Sequence, residues 1–177
     1  MADLELIRIE ALSDADYRAA IQELAALLVD AVDGGASVNF LAGLDLVTAA
    51  GWWEARAEAV RVGMVTPFAA YEGDRLIGSV VLIRSTNPNS PHRAEIGKMI
   101  VHRAARRRGI GAALMAAAEA AARAEGRWLL ILDTETGSAA EALYRSLGWQ
   151  ETGTVPAYAL LTDRTLASAT FFWKDLR

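Results

Sequence analysis

Residues 93–124 read RAEIGKMIVHRAARRRGIGAALMAAAEAAARA, and within them a strand gives way to a helix. Residues 93–102 are typical of a strand, residues 103–109 are rich in arginine and glycine, and residues 110–124 predict an alanine-rich helix that Gly126 ends. Where a strand enters a helix through such a loop, successive backbone N–H groups and the positive end of the helix dipole point to one place. The stretch therefore predicts a phosphate site at the beginning of the helix.

The residue types of this loop suit a phosphate. Gly109 and Gly111 permit positive φ and remove Cβ atoms that would keep a pyrophosphate from the backbone. The flanking arginines can add charge-assisted hydrogen bonds. On residue types alone, a solvated basic turn is the competing interpretation. The spacing excludes a dinucleotide fingerprint, because its third glycine and its acidic partner are missing, and a nucleotide P-loop, because no Gly-Lys-Ser/Thr occurs.

Charge and composition exclude several other classes. The chain has 18 Lys+Arg and 22 Asp+Glu residues, a net charge of −4 and a pI near 5.2. Because the chain is acidic and no aromatic stacking platform accompanies the arginines, nucleic acid is not expected as a partner. The chain has no cysteine, and His92 and His102 have no third ligand in view, so we expect no metal site. The acidic N-terminus and the absence of a long apolar run predict a cytoplasmic protein without a membrane partner.

The rest of the chain predicts one mixed α/β domain over residues 1–177. Its 53% hydrophobic content is ordinary for a globular protein. Hydrophobic spacing and turn residues predict a strand over 4–11, a helix over 14–32, a second helix from Asp45 to near Gly63, a hairpin of strands 67–71 and 76–84, a buried strand over 128–132, a helix over 138–147, and a hairpin of strands 155–162 and 166–174.

Two motifs carry a resemblance to a known family. The first, Val101-x-x-x-x-Arg106-x-x-Gly109-x-Gly111, matches the pattern R/Q-x-x-G-x-G/A, and residues 140–149, AEALYRSLGW, look like A-x-x-L-Y-x-x-x-G-F. The chain thus resembles the GNAT family of N-acetyltransferases, whose order of elements it follows nearly throughout. This resemblance implies an α/β fold with a mixed, mostly antiparallel sheet of about seven strands flanked by about four helices, and acetyl-CoA as the cosubstrate.

Within that family, residues 93–96 and 132–141 look most like the tabtoxin-resistance acetyltransferases, which acetylate an amine of an antibiotic. The chain departs from the family pattern at three positions. Proline and an aromatic residue are common where this chain has Arg103 and Ala105, which leaves backbone contacts to phosphate unaffected. An asparagine is common where it has Gly137, which puts one coenzyme or structural contact in question.

The resemblance also assigns roles at the site. An amine must be neutral to attack a thioester, so a base is needed, and the resemblance places Glu95 at a position where related enzymes often have one. Asp133, at the end of an apolar strand opposite Glu95, could share the base role or bind a cationic amine. Tyr144 occupies the family position of the acid that protonates the leaving thiolate, and a phenol pKa of about 10 keeps it protonated. A backbone N–H near Met99 would hold the oxyanion. The residues expected to bind the coenzyme are Met99, Ile100, Val101, Arg106, Arg107, Arg108, Gly109, Ile110, Gly111 and Ala112.

Each assigned side chain has a structural alternative. Glu95 is otherwise an exposed strand residue, Asp133 ends a strand or caps the next helix, and Tyr144 packs on its helix. Trp52, Trp53 and Phe40 either line the acceptor cleft or pack in the core.

We expect an N-acetyltransferase that acts on a small amine, antibiotic-like or amino-acid-like, by direct attack on the thioester. A non-catalytic acyl-CoA-binding or sensor module is the alternative. The resemblance also favours a homodimer formed through the apolar C-terminal hairpin.

Overall fold

A computed structural model describes residues 7–177 of the chain. The predicted first strand, over residues 4–11, is present from Ile7 onward, and its residues 4–6 lie outside the described part. The strands are β1 (Ile7–Ala11), β2 (Val65–Glu72), β3 (Arg75–Arg84), β4 (Arg93–Val101), β5 (Leu129–Glu135), β6 (Gln150–Leu160) and β7 (Leu166–Asp175). The helices are α1 (Asp14–Asp33), α2 (Leu46–Glu54), α3 (Ala57–Arg61), α4 (Ile110–Ala124) and α5 (Ala139–Ser146).

The seven strands form one sheet in the order β1-β2-β3-β4-β5-β7-β6. Neighbouring strands are antiparallel except β4 and β5, which are parallel because α4 connects them as a crossover. The last strand along the chain, β7, lies between β5 and β6. The predicted α/β fold with a mixed, mostly antiparallel sheet is confirmed.

Side-chain caps begin the helices that the sequence predicts. Ser13 Oγ accepts the Asp16 N–H at 3.2 Å at the start of α1, and Asp45 Oδ1 accepts the Thr48 N–H at 2.7 Å at the start of α2. The fourth helix has the bounds predicted for it, because Gly109 precedes it and Gly126 follows it. Within residues 7–177, none of the helices has the length and apolar character needed to cross a membrane.

The predicted second helix, from Asp45 to near Gly63, is wrong in one respect, because it is divided into α2 and α3. The side chain of Arg56 explains the division. Its Nη1 donates to the Trp52 carbonyl at 2.8 Å, which is the acceptor that an unbroken helix would offer to the Arg56 backbone N–H. That N–H donates instead to the Trp53 carbonyl at 2.9 Å, three residues back. The chain therefore turns at Arg56.

Apolar side chains cover both faces of the sheet. One buried cluster packs α4 and α5 on the sheet, and the other packs α1, α2 and α3 on the opposite face. The alanine-rich α4 comes close to the strands, since a Cβ on Gly78 of β3 would lie 3.0 Å from Leu114 Cδ1. Small residues thus bring the helix that follows the arginine and glycine loop directly onto the sheet.

A polar cluster joins α4 to the end of α5 and to β7. Glu119 accepts hydrogen bonds from Lys174 Nζ at 2.9 and 2.8 Å and from Trp149 Nε1 at 3.0 Å. The same ammonium donates to the Leu147 carbonyl at 2.8 Å. Both charged side chains are largely buried, and the cluster therefore fixes α4 against two distant parts of the chain.

We expect Glu119→Gln to lower the free energy of unfolding by about 1–3 kcal/mol, since the ammonium of Lys174 loses its carboxylate partner in a largely buried place. Urea unfolding followed by circular dichroism measures the change. Glu58→Gln is the matched control, because its carboxylate pairs with Arg61 on the surface of α3, where an ion pair contributes little. Equal unfolding midpoints for the two variants would contradict this account.

Candidate active site

The sheet opens between β4 and β5. These strands pair only over Arg93–Glu95 and Leu129–Ile131, although both continue beyond that point. A β-bulge bends β4, since one residue of β3 lies opposite Lys98 and Met99, and the Lys98 backbone has a φ of 47°. A cavity of about 980 Å³ occupies the opening.

Nine of the ten positions predicted to bind the coenzyme line this cavity: Met99, Ile100, Val101, Arg106, Arg107, Gly109, Ile110, Gly111 and Ala112. The tenth, Arg108, does not, and its Nη2 donates to Glu72 Oε1 on β2 at 2.6 Å. The prediction that the loop and the end of β4 form one site is therefore consistent with the geometry, whereas the Arg108 side chain points to another part of the sheet.

The beginning of α4 has the properties of an anion site. Gly109 precedes the helix with a φ of 82°, and because it has no side chain, none caps the helix. The first N–H groups of a helix have no acceptor within it, so those of residues 110–112 are available at the cavity wall.

Gly111 has a different role from the one expected. Its φ is not positive, and a Cβ there would lie 3.0 Å from Leu143 Cδ2 and 3.5 Å from Met99 Sδ. It therefore permits close packing of α4 against α5 and β4, while the positive φ of the loop falls on Arg107 and Gly109.

The arginines of the loop divide into two pairs. Arg103 is held by Asp30 at the end of α1, to which its backbone N–H and Nε donate at 3.0 and 2.8 Å, and Arg108 is held by Glu72. Arg106 and Arg107 are exposed at the cavity, where the Nε of Arg106 donates to the Val101 carbonyl at 3.1 Å. Two of the four arginines thus position the loop, and two present charge to the cavity.

The two candidate bases lie on one face of the sheet. Glu95 is the register partner of Ile131, and Asp133 follows two residues later, so both side chains point to the same side of the opening. Both line the cavity and remain accessible to solvent within it. Partial burial raises the pKa of Glu95, and the charge of Asp133 raises it further. Partial burial also raises the pKa of Asp133, against the opposing effect of Lys98.

The structural alternative for Asp133 does not apply. It lies inside β5 rather than at its end, and Ser138 caps α5 by accepting the Glu141 N–H at 3.1 Å. Gly137 has a φ of 79° and donates its N–H to Glu141, so this position serves the turn before α5. Glycine and asparagine both adopt positive φ at little energetic cost. This accounts for a glycine at a position where asparagine is common in the family.

Tyr144 lies on α5 at the cavity wall, 5% exposed, between Trp149 and Phe172, whose ring centroids are 6.0 and 6.2 Å from its own. Burial raises its pKa well above the ordinary value, and the charge of Asp133 adds to the shift. The phenol therefore keeps its proton throughout the neutral range.

Two cations at the cavity were not predicted from the sequence. Lys98 and Arg56 both line it and both contact the indole of Trp52, with Nζ 4.7 Å and the guanidinium carbon 3.2 Å from the ring centroid. Burial and the charge of Arg56 lower the pKa of Lys98 to about 8. A signal was present, since Lys98 and Lys174 are the only lysines of the chain.

The aromatic residues and histidines divide between packing and the cavity. Trp52 lines the cavity, Phe40 contacts Trp52 edge-on at 6.0 Å, and Trp53 is buried in the core. His92 stacks on Trp128 at 4.6 Å, and His102 accepts the Ala104 N–H in the turn that precedes the loop. No cluster of three metal-ligating side chains occurs among residues 7–177, and the expectation of a metal-free site stays a prediction.

A comparison with protein families gives one match. Residues 65–151 match the sequence model of a family described as "Acetyltransferase (GNAT) domain". This range runs from β2 to the beginning of β6 and contains the opened strand pair, the loop and α5.

Solved structures share the fold over nearly the whole chain. An N-acetyltransferase from Staphylococcus aureus Mu50 is 17% identical with a TM-score of 0.78, covering 97% of this chain and 99% of that one. A putative acetyltransferase from Salmonella typhimurium, solved with its cofactor acetyl-CoA, is 21% identical with a TM-score of 0.75, covering 97% and 94%. A ribosomal-protein-alanine N-acetyltransferase from Brucella melitensis is 28% identical with a TM-score of 0.71, covering 96% and 99%.

The raised pKa of Glu95 predicts a pH-dependent effect on stability. A carboxyl whose pKa is raised by folding destabilises the protein once pH exceeds that pKa, because its charged form is disfavoured. We therefore expect Glu95→Gln to unfold at a higher temperature than the wild type at pH 8, with the difference shrinking once pH falls below the raised pKa and disappearing below the ordinary pKa of a glutamic acid. Thermal unfolding between pH 4 and pH 8 measures it.

Glu72→Gln is the control of opposite sign. Its hydrogen bond and ion pair with Arg108 lower the pKa of Glu72, so this carboxylate stabilises the protein at neutral pH. The variant should be the less stable one at pH 8, and its deficit should shrink toward low pH. The same sign of change in both variants would contradict the assigned shifts.

Proposed function

We propose that the chain, whose residues 65–151 match the sequence model of a GNAT acetyltransferase domain, is an acyltransferase that transfers the acetyl group of acetyl-CoA to an amine of a small molecule. One observation carries the proposal. The opening between β4 and β5 brings an uncapped helix N-terminus, two carboxyl groups with raised pKa values and a buried phenol into a single cavity.

The donor is proposed to lie along β4 and the beginning of α4. The N–H groups of residues 109–112 and the guanidinium groups of Arg106 and Arg107 suit the pyrophosphate of coenzyme A. Beyond Glu95, the edge of β4 that faces β5 pairs with no other strand of residues 7–177, so its backbone groups can pair with the amides of the pantetheine arm. In the proposed binding mode the thioester lies toward Glu95 and Asp133. The acetyl-CoA bound in the Salmonella typhimurium structure supports the choice of donor.

The reaction requires a neutral amine. Its nitrogen attacks the thioester carbon and gives up a proton to Glu95 or Asp133, directly or through water, and the raised pKa of each carboxyl suits it to hold that proton. A backbone N–H near Met99 stabilises the oxyanion. When the C–S bond breaks, Tyr144 donates its proton to the thiolate and regains one from the protonated base or from water.

The identity of the acceptor forms the finer part of the proposal. We favour an antibiotic-like or amino-acid-like amine, as the closer resemblance to the tabtoxin-resistance acetyltransferases implies. The Brucella melitensis relative is named for the alanine of a ribosomal protein, so a peptide with an N-terminal alanine belongs in any acceptor panel. A cytoplasmic location and a single domain over residues 1–177 stay predictions.

A homodimer also belongs to the proposal. The outermost strand β6 and its hairpin partner expose Val155, Tyr158, Leu160 and Leu166, which form an apolar edge. Exposed apolar edge strands favour pairing with another chain.

We expect Arg106→Gln and Arg107→Gln each to weaken the binding of coenzyme A by roughly 10-fold, since each removes a charge-assisted contact to the pyrophosphate. Isothermal titration calorimetry measures the affinity. Arg18→Gln on the surface of α1 is the matched control and should bind as the wild type does. Full affinity in both loop variants would place the pyrophosphate elsewhere.

We expect Glu95→Gln, Asp133→Asn and Tyr144→Phe to reduce kcat, with a loss of about 10²–10⁴-fold for the residue that is the principal base or acid. Release of free thiol from acetyl-CoA, recorded with an amine panel, measures turnover. Coenzyme affinity should stay close to that of the wild type, because the changes are nearly isosteric. Tight coenzyme binding by the wild type without turnover of any amine would favour the non-catalytic module instead.

A further inference from the structure

The unpredicted pair of cations points to the chemistry of the acceptor. We propose that Lys98 and Arg56 form an anion-binding subsite and that the preferred acceptor carries an acidic group, such as a carboxylate, near its reactive amine. The inference rests on the proposed function for the amine end of the acceptor. It adds a second recognition point, on the α2 side of the cavity.

The two cations are held in place on one aromatic side chain. The bulge of β4 positions Lys98, and Ser79 Oγ fixes it by donating to the Lys98 carbonyl at 3.0 Å. The hydrogen bond between Arg56 Nη1 and the Trp52 carbonyl fixes the other cation. Because both contact the Trp52 indole and line the cavity, they form a positively charged wall without needing a ligand to assemble it.

Neither cation forms an ion pair with a carboxylate of the described residues 7–177. Several other partly buried cations of the chain do: Arg84 pairs with Glu125, Arg108 with Glu72 and Lys174 with Glu119. Among residues 7–177, in contrast, no Asp or Glu forms an ion pair with Lys98 or Arg56.

Without an ion-pair partner, the charged forms of Lys98 and Arg56 are destabilised in the cavity. Burial and the neighbouring Arg56 lower the pKa of Lys98 to about 8, so its ammonium form is less stable than that of a lysine in water. Burial also lowers the pKa of Arg56. An anion bound between them would stabilise the charged form of each.

The cavity has an acidic and a basic region that adjoin at Lys98. Glu95 and Asp133 lie toward the proposed thioester, and the charge of Lys98 acts on the pKa of both carboxyl groups. Lys98 and Arg56 both contact Trp52 of α2. An amino acid or a related compound matches both regions, with its amine at the carboxylates and its acid at the cations. A polyamine matches only one, because its second ammonium group meets two positive charges.

The test compares acceptors that differ only in the acidic group: α-amino acids, their primary amides and the corresponding decarboxylated amines. We expect the wild type to have a kcat/KM at least about 10-fold higher for the acids than for the amides. Lys98→Met, which keeps the aliphatic stem on Trp52, and Arg56→Gln should each reduce this ratio about 10-fold, mainly through KM, and the double variant should bring it near one. Arg61→Gln on α3 should retain the wild-type ratio.

The outcomes separate the subsite from the proposed reaction. Equal turnover of acids and amides by the wild type, or an unchanged ratio in both variants, would overturn the subsite while leaving the acetyltransferase intact. If no amine releases thiol, the proposed function fails, and calorimetric binding of the amino acids to the coenzyme A complex still tests the subsite. In that case the subsite stands only if the acids bind more tightly than the amides and Lys98→Met removes the difference.

Discussion

The short pairing between β4 and β5 is the constraint on which the rest of the molecule depends. Three residues of each strand are in register, and then the strands diverge. If the pairing continued, the backbone of residues 96–101 would be bonded to β5 and no cavity would exist. Because α4 crosses from one strand to the other, its first turn necessarily lies at the carboxyl end of β4, beside the opening. One local loss of hydrogen bonds thereby supplies both a free strand edge and a helix N-terminus in the same place.

The cavity contains several ionisable side chains whose surroundings disfavour the charged form. Glu95 and Asp133 have raised pKa values, and Lys98 has a lowered pKa. The charged form of each of these three side chains is therefore less stable in the protein than it would be in water. Elsewhere the protein compensates its partly buried charges with partners, as it does for Glu119 and Lys174. Such imbalance is common where groups must exchange protons or meet a charged ligand. The acidic and basic side chains whose pKa values are shifted against the charged form thus lie on the walls of the cavity between β4 and β5.

Local signals in the sequence predicted the elements well where glycine and capping residues mark the ends. The bounds of α4 follow from Gly109 and Gly126, and Ser13 and Asp45 begin the first two helices as expected. The coenzyme positions and the three candidate catalytic side chains could be named because motifs fix their spacing, and the cavity brings all three of these side chains together. The features that could not be predicted are side-chain contacts between residues that lie far apart in the sequence.

Arg103 and Arg108 illustrate that limit. Nothing near them in the sequence indicates that Asp30 and Glu72 hold their side chains, and only the folded chain separates them from Arg106 and Arg107. Arg56 breaks a periodic helix by binding a carbonyl oxygen, which no propensity or hydrophobic pattern records. The bulge at Lys98 arises from pairing with β3 and is equally invisible in the order of residues.

The placement of β7 has a consequence for how the protein forms. Among the strands of residues 7–177, β7 is made last, yet it alone joins β6 to the rest of the sheet. During synthesis, the edge of β5 that faces away from β4 and the strand β6 therefore remain unpaired until residues 166–175 leave the ribosome and insert between them. Such non-local pairing is slow and leaves strand edges exposed to other chains, so the late steps of folding are the period of greatest exposure to aggregation and to chaperones.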